Sequence, residues 1–157
     1  MTETAEQTVL VLCYGNPARE DDGLGPAVAE FLASSPMAGA RVESNYQLLV
    51  EDAVAVSEAS LVVFVDAAAA GPEPFEFRTI EPGETGGYMA HSIGPAQLLG
   101  LARELFGRSP VAYLLAIRGY SFEMFHEGLS RRASENLSRA TEYLREFVRA
   151  RVVEEVT

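Results

Sequence analysis

The chain reads as one α/β domain, a twisted and mostly parallel sheet with helices on both faces and an antiparallel strand at one edge. Three observations predict it. Apolar, β-branched runs alternate along the chain with segments of helical periodicity, the pattern of a parallel sheet covered on both sides. The 157 residues suit a single domain with a real core, and no internal repeat, low-complexity tract or linker divides them. Hydrophobic residues make up 48% of the chain, which with ordinary charge content describes a globule rather than a disordered polymer.

The elements follow in order. Residues 1–7, "MTETAEQ", are polar and acidic and read as a flexible N-terminus. "TVLVLCY", Thr8 to Tyr14, is a continuous apolar run, as expected for a buried parallel strand. After an acidic turn, Leu24, Val28, Phe31 and Leu32 fall at helical spacing, and Pro26 suits a first helical position. "ARVESNYQLL" can form a second strand, "EDAVAVSEA" a short helix, and "LVVFVDA" a third, buried strand. "FEFRTI", Phe75 to Ile80, alternates and fits an edge strand. The Gly- and Pro-rich "EPGETGGYMAHSIGP" is a loop by composition. Leu98, Leu101, Ala102 and Leu105 mark a helix with Pro95 near its start and Gly107 after its end. "VAYLLAI" is the last core strand, and Leu129, Ala133, Leu137, Ala140, Leu144 and Val148 give a long closing amphipathic helix.

Composition narrows the function. The net charge of -11 argues against nucleic acid or an anionic membrane as partner, since both need basic patches. All 12 basic residues are Arg, a compositional bias without functional weight. No apolar run approaches a membrane span, and the N-terminus is unlike a signal peptide, so a cytoplasmic location is expected. The single cysteine, Cys13, allows no internal disulfide and no paired-cysteine metal knuckle.

In open sheets of this kind, ligands bind outside the carboxyl ends of the strands. Three such exits carry polar residues that a fold alone does not need. The first strand runs into Gly15, Asn16 and then Glu20-Asp21-Asp22; the third ends in Asp66; the loop before the next helix carries His91. Two carboxylates and an imidazole would suit a divalent transition metal. Each residue also has a plainer reading. Asp21 or Asp22 can cap a helix and complement its dipole, Asp66 can close an Asx-turn, and His91 can be an ordinary loop histidine or a helix cap. The combination is what raises the functional reading.

Other chemistry is missing from the sequence. There is no G-x-G-x-x-G, P-loop, H-E-x-x-H or G-x-S-x-G, and carboxylates at the first turn would repel a pyrophosphate. Cys13, inside a buried strand, reads as structural rather than nucleophilic. Ser92 adjoins His91 without thereby forming a catalytic pair, and His126 in "EMFHEGLS" reads as a surface loop residue.

Taken in order, "GNPAREDDGLG", "YQLLVEDA", "VVFVDAA", "HSIGPAQLL" and "AIRGYSFEMFHEGLS" resemble the nickel–iron hydrogenase maturation endopeptidases over most of the chain. The resemblance implies a twisted sheet sandwiched by helices, in agreement with the reading above. It implies an endopeptidase that removes a C-terminal extension from the hydrogenase large-subunit precursor once nickel is inserted. It also implies that Asp22, Asp66 and His91 contact the metal, with Asp22 and Asp66 as catalytic candidates and with Gly15, Asn16 and Asp21 near the substrate. Spacing from Gly15-Asn16 favours Asp22 over Glu20, and Cys13 stands where the family often has glycine.

On this reading the acidic turn faces a cation, and nickel reaches the site through the precursor rather than as a tightly bound cofactor. Three rim residues should support little packing, so substituting them should leave stability nearly unchanged. Two other function classes stay open: a precursor-holding or metal-binding chaperone without peptidase activity, and a small nucleotide-binding module that the acidic turn disfavours.

Overall fold

The computed structural model describes residues 8–84 and 93–154. In chain order these form β1 (Val9–Tyr14), a short 3-10 turn (Glu20–Gly23), α1 (Leu24–Ser34), β2 (Ala40–Asn45) and α2 (Asp52–Glu58). Then come β3 (Leu61–Ala68), β4 (Phe75–Thr79), α3 (Pro95–Phe106), β5 (Val111–Arg118) and α4 (Arg131–Glu154). The five strands make one sheet in the order β2-β1-β3-β5-β4. Every pairing is parallel except that of β4 with β5, which is antiparallel and forms one edge.

The sheet has an apolar layer on each face because alternate residues of the central strands point opposite ways. Val9, Val11, Cys13, Val63, Val65, Leu115 and Ile117 pack beneath α1 and α4, against Leu24, Val28, Leu32, Ala140, Leu144 and Val148. Leu10, Leu12, Val62 and Phe64 pack on the other face beneath α2 and α3, against Ala53, Val56, Leu98, Leu99 and Ala102. Leu115 of β5 is fully buried in the layer beneath α1 and α4. Its replacement by alanine should cost about 2–5 kcal/mol in urea unfolding, because the lost contacts leave a cavity. A cost below about 1 kcal/mol would show that the layer collapses around the gap.

The edge strand β4 is held by aromatic packing. Phe77 stacks on Tyr113 of β5 at 5.0 Å and meets Phe147 of α4 edge-on at 4.9 Å. Phe75 adds a tilted contact with Tyr143 at 5.0 Å.

Some boundaries differ from expectation for local reasons. β2 stops at Asn45, and the rest of "ARVESNYQLL" leaves the sheet to reach α2, with Leu48 alone turned into the core. α1 starts at Leu24, so Pro26 falls within its first turn rather than opening it. That position tolerates proline because the first helical N–H groups have no intrahelical acceptor. Leu129 lies ahead of α4 yet still packs against the core. α3 begins at Pro95 and ends on Gly107, which takes the left-handed φ of 70° as its C-cap, as expected.

The topology fixes where a ligand belongs. The connection after β1 runs through α1 to β2 at one side of the sheet, while the connection after β3 leads towards β5 at the other. The switch point therefore lies between the carboxyl ends of β1 and β3. Among the described residues, no helix is long and apolar enough to cross a membrane.

Candidate functional site

At the end of β1 the chain must reverse within a few residues, and glycine makes this possible. Gly15 has φ 146°, and a Cβ there would lie 2.0 Å from the carbonyl oxygen of Asp22. Its amide donates to the Asn45 carbonyl at 3.0 Å. The α1 N-terminus then presses against both strand exits at Gly25, where a Cβ would meet the Tyr14 oxygen at 2.3 Å and the Val65 oxygen at 3.0 Å. Asp22, alone of the three carboxylates after β1, is thereby brought near Asp66 at the end of β3.

Asn16 holds the turn from inside. Its amide donates to Asp22 Oδ2 at 2.8 Å, and its side-chain oxygen accepts from the Ala18 amide at 3.0 Å, an Asx-turn. Of the residues expected near substrate, Gly15 is buried and Asn16 and Asp22 are half-buried. Asn16 is thus a positioning residue for Asp22 in this structure, whatever else it touches.

Asp21 departs from expectation. Its side chain is fully buried and its carboxylate is taken up internally. Oδ2 accepts from the amides of Tyr120 at 2.8 Å and Ser121 at 3.1 Å and from the Ser130 hydroxyl at 2.7 Å; Oδ1 accepts from the Ser130 amide at 2.7 Å. Burial would raise its pKa, but these hydrogen bonds outweigh burial and hold it below the ordinary carboxylate value. Asp21, expected near the substrate, has its side chain committed to a clip that ties the 3-10 turn to the loop between β5 and α4. The sequence offered one usable sign: Ser130, just ahead of the last helix, sits at an N-cap position.

Asp66 lies one residue beyond the Cys13–Val65 pairing of β1 with β3 and is half-buried. Burial pushes its pKa up to about 6; the Ala67 amide, which donates to Oδ1, lowers it, the charge of Asp22 raises it, and the Tyr14 hydroxyl lowers it. Asp22 and Asp66 are thus close enough to feel each other electrostatically at the switch point. Tyr14 is a participant that sequence reading missed, because it counted only as the last apolar residue of a strand. Burial and the neighbouring Asp66 push its phenol well above the usual range, so it stays a hydrogen-bond donor to that carboxylate.

The remaining candidates separate clearly. His91 lies outside the described residues. Cys13 is 2% exposed, and burial pushes its thiol up to about 12, which fits a structural thiol and not a nucleophile. His126 is an exposed loop residue with Glu20 and Glu123 beside it. Chemically, two carboxylates at one rim, one of them reluctant to ionise, can share a divalent cation or move a proton to and from water.

No family model matches the chain. It is 36% identical over 77 residues to the hydrogenase 3 maturation protease of Escherichia coli, covering 48% of this chain and 49% of that protein. The chain thus aligns with about half the length of the curated relatives it matches. Among solved structures it is similar to the NiFe hydrogenase maturation protease HycI of Thermococcus kodakarensis, with TM-score 0.69 and 23% identity over 92% of this chain and 94% of that one. It is also similar to the endopeptidase HycI of Escherichia coli, with TM-score 0.66 and 25% identity over 89% and 90% of the two chains. The hydrogenase maturating endopeptidase HybD of the same organism gives TM-score 0.67 and 21% identity over 91% and 93%. The resemblance to hydrogenase maturation proteases seen in the motifs therefore holds in sequence and in fold.

Proposed function

We propose that this chain is an endopeptidase that removes the C-terminal extension of a nickel–iron hydrogenase large-subunit precursor after nickel insertion, with the bound nickel as its recognition handle. The observation that carries the reading is the Asp22–Asp66 pair at the switch point between β1 and β3. The names of its relatives support the reaction class, and the pair supports assigning the chemistry to this rim.

The donor set suits the cation. Carboxylates from Asp22 and Asp66, with the His91 imidazole, are acceptable ligands for a borderline divalent metal, and precursor thiolates could complete its coordination. Nickel held this way belongs to the substrate, and it would fix the scissile bond by proximity and orientation. The chain's own part is to hold Asp22 through the Asn16 amide and Asp66 through the Ala67 amide and the Tyr14 hydroxyl. Either carboxylate is a candidate to take a proton from an attacking water.

The direct test is to mix the protein with a nickel-loaded precursor and weigh the products by mass spectrometry. A precursor shortened at its C-terminus is the expected result. A stable complex without shortening would instead favour a precursor-holding chaperone. Treating the protein with a chelator, then removing the chelator before adding the loaded precursor, should leave processing intact, since the metal arrives with the substrate. Loss of processing that only added metal restores would contradict that arrangement.

A further inference from the structure

We propose that His126, Glu20 and Glu123 form a second metal site, taking a divalent transition cation such as Zn2+, apart from the Asp22–Asp66 pair. Among the described residues this trio is the group of potential ligands whose donor atoms all lie within 4.8 Å of one another. His126 Nδ1 is 4.0 Å from Glu20 Oε1, and Nε2 is 3.7 Å from Glu123 Oε2. The carboxylates face different ring nitrogens, so side chains must turn to bring one nitrogen to both; one imidazole nitrogen and two carboxylate oxygens, with the outer side open to water, then suit zinc and its neighbours.

The backbone beneath the trio is already fixed. The Glu20 amide donates to the His126 carbonyl at 2.8 Å, and the His126 amide donates to the Ala18 carbonyl at 3.0 Å. Asp21 anchors both flanks, through its amide to the Ser121 carbonyl at 2.9 Å and its carboxylate to Tyr120, Ser121 and Ser130. The two segments are therefore brought together by bonds that do not involve the three side chains. The backbone is already ordered and only the side chains remain to be ordered when a cation arrives, which lowers the cost of binding. The ligand atoms must close from these spacings to bonds of about 2.0–2.2 Å, and the exposed His126 and Glu123 side chains are free to rotate.

A bound cation would clamp the turn that carries Asp22 to the loop between β5 and α4. The site should then stabilise the fold as any ligand of the native state does. The test is calorimetric titration of the full chain with Zn2+ at neutral pH, made in an Asp66→Asn background to weaken the other candidate site. We expect one equivalent of Zn2+ bound in the micromolar range, with a rise in melting temperature. His126→Ala and Glu123→Gln, both at exposed positions, should each weaken binding at least tenfold while melting like their parent in the absence of metal. Zinc binding that is unchanged by His126→Ala, or no binding at all, would overturn the site. Neither result bears on the peptidase reading, which is tested by processing of the precursor.

Discussion

Replacing Asp21 by alanine should destabilise the protein by about 3–5 kcal/mol, although it removes no apolar contact of note. The reason is the company the carboxylate keeps. Three backbone amides and one hydroxyl point at it inside the protein, and alanine would leave all four donors unsatisfied. Asparagine keeps one acceptor oxygen but turns an amino group towards the others, so Asp21→Asn should fall between wild type and alanine. The pH dependence follows in sign. A carboxylate whose folded pKa is lowered contributes stability above its unfolded value and loses it as pH falls through the folded one. Asp21→Ala should therefore flatten the acid side of the stability curve. Guanidinium unfolding as a function of pH measures both effects, and a loss below about 1 kcal/mol would remove Asp21 from its structural role.

Asp66→Asn should do the opposite to stability and strongly impair function. Burial holds the Asp66 carboxyl at about 6 in the folded state, against 3.8 for the ordinary group, so ionising it at pH 7 costs the fold roughly 1–3 kcal/mol. Asparagine still accepts from the Ala67 amide through Oδ1 and carries no charge to repel Asp22. The variant should thus be more stable than wild type at pH 7, by an amount that shrinks as pH falls from about 6 towards 3.8. Precursor processing should fall by about 10²-fold or more, since a carboxylate placed for metal or proton is lost. This revises the expectation that rim substitutions leave stability unchanged: Asp66 supports little packing, but it stores electrostatic strain. A variant that processes normally would remove Asp66 from the site. One that is less stable than wild type at neutral pH would show that its carboxylate supports the fold.

The fold was legible in the sequence because its signals are periodic and strong. The apolar runs within Val9–Tyr14 and Leu61–Ala68 are buried strands as their sequence suggested, Val111–Arg118 is a strand that sends Ala112, Leu115 and Ile117 into the core, and Phe75–Thr79 alternates as an edge strand should. Residues that depend on contacts distant in sequence were less legible. The carboxylates of Glu20, Asp21 and Asp22 are adjacent in sequence, but the 3-10 turn sends them in three directions. One faces the His126 loop, one is buried under Tyr120 and Ser130, and one turns back to Asn16. A pattern of charges cannot show that division, because the partners of Asp21 lie about a hundred residues away. Tyr14 was hidden for a similar reason: its hydroxyl matters only because Asp66 ends the neighbouring strand.

The most direct measurement is single-turnover processing of one precursor preparation, before and after it is loaded with nickel, followed by the mass of the product. Recognition through nickel requires that no shortened product form from the nickel-free precursor. It requires C-terminal shortening once nickel is present, greatly slowed when Asp66→Asn replaces the wild-type chain. Equal cleavage of the nickel-free and nickel-loaded precursors would contradict it.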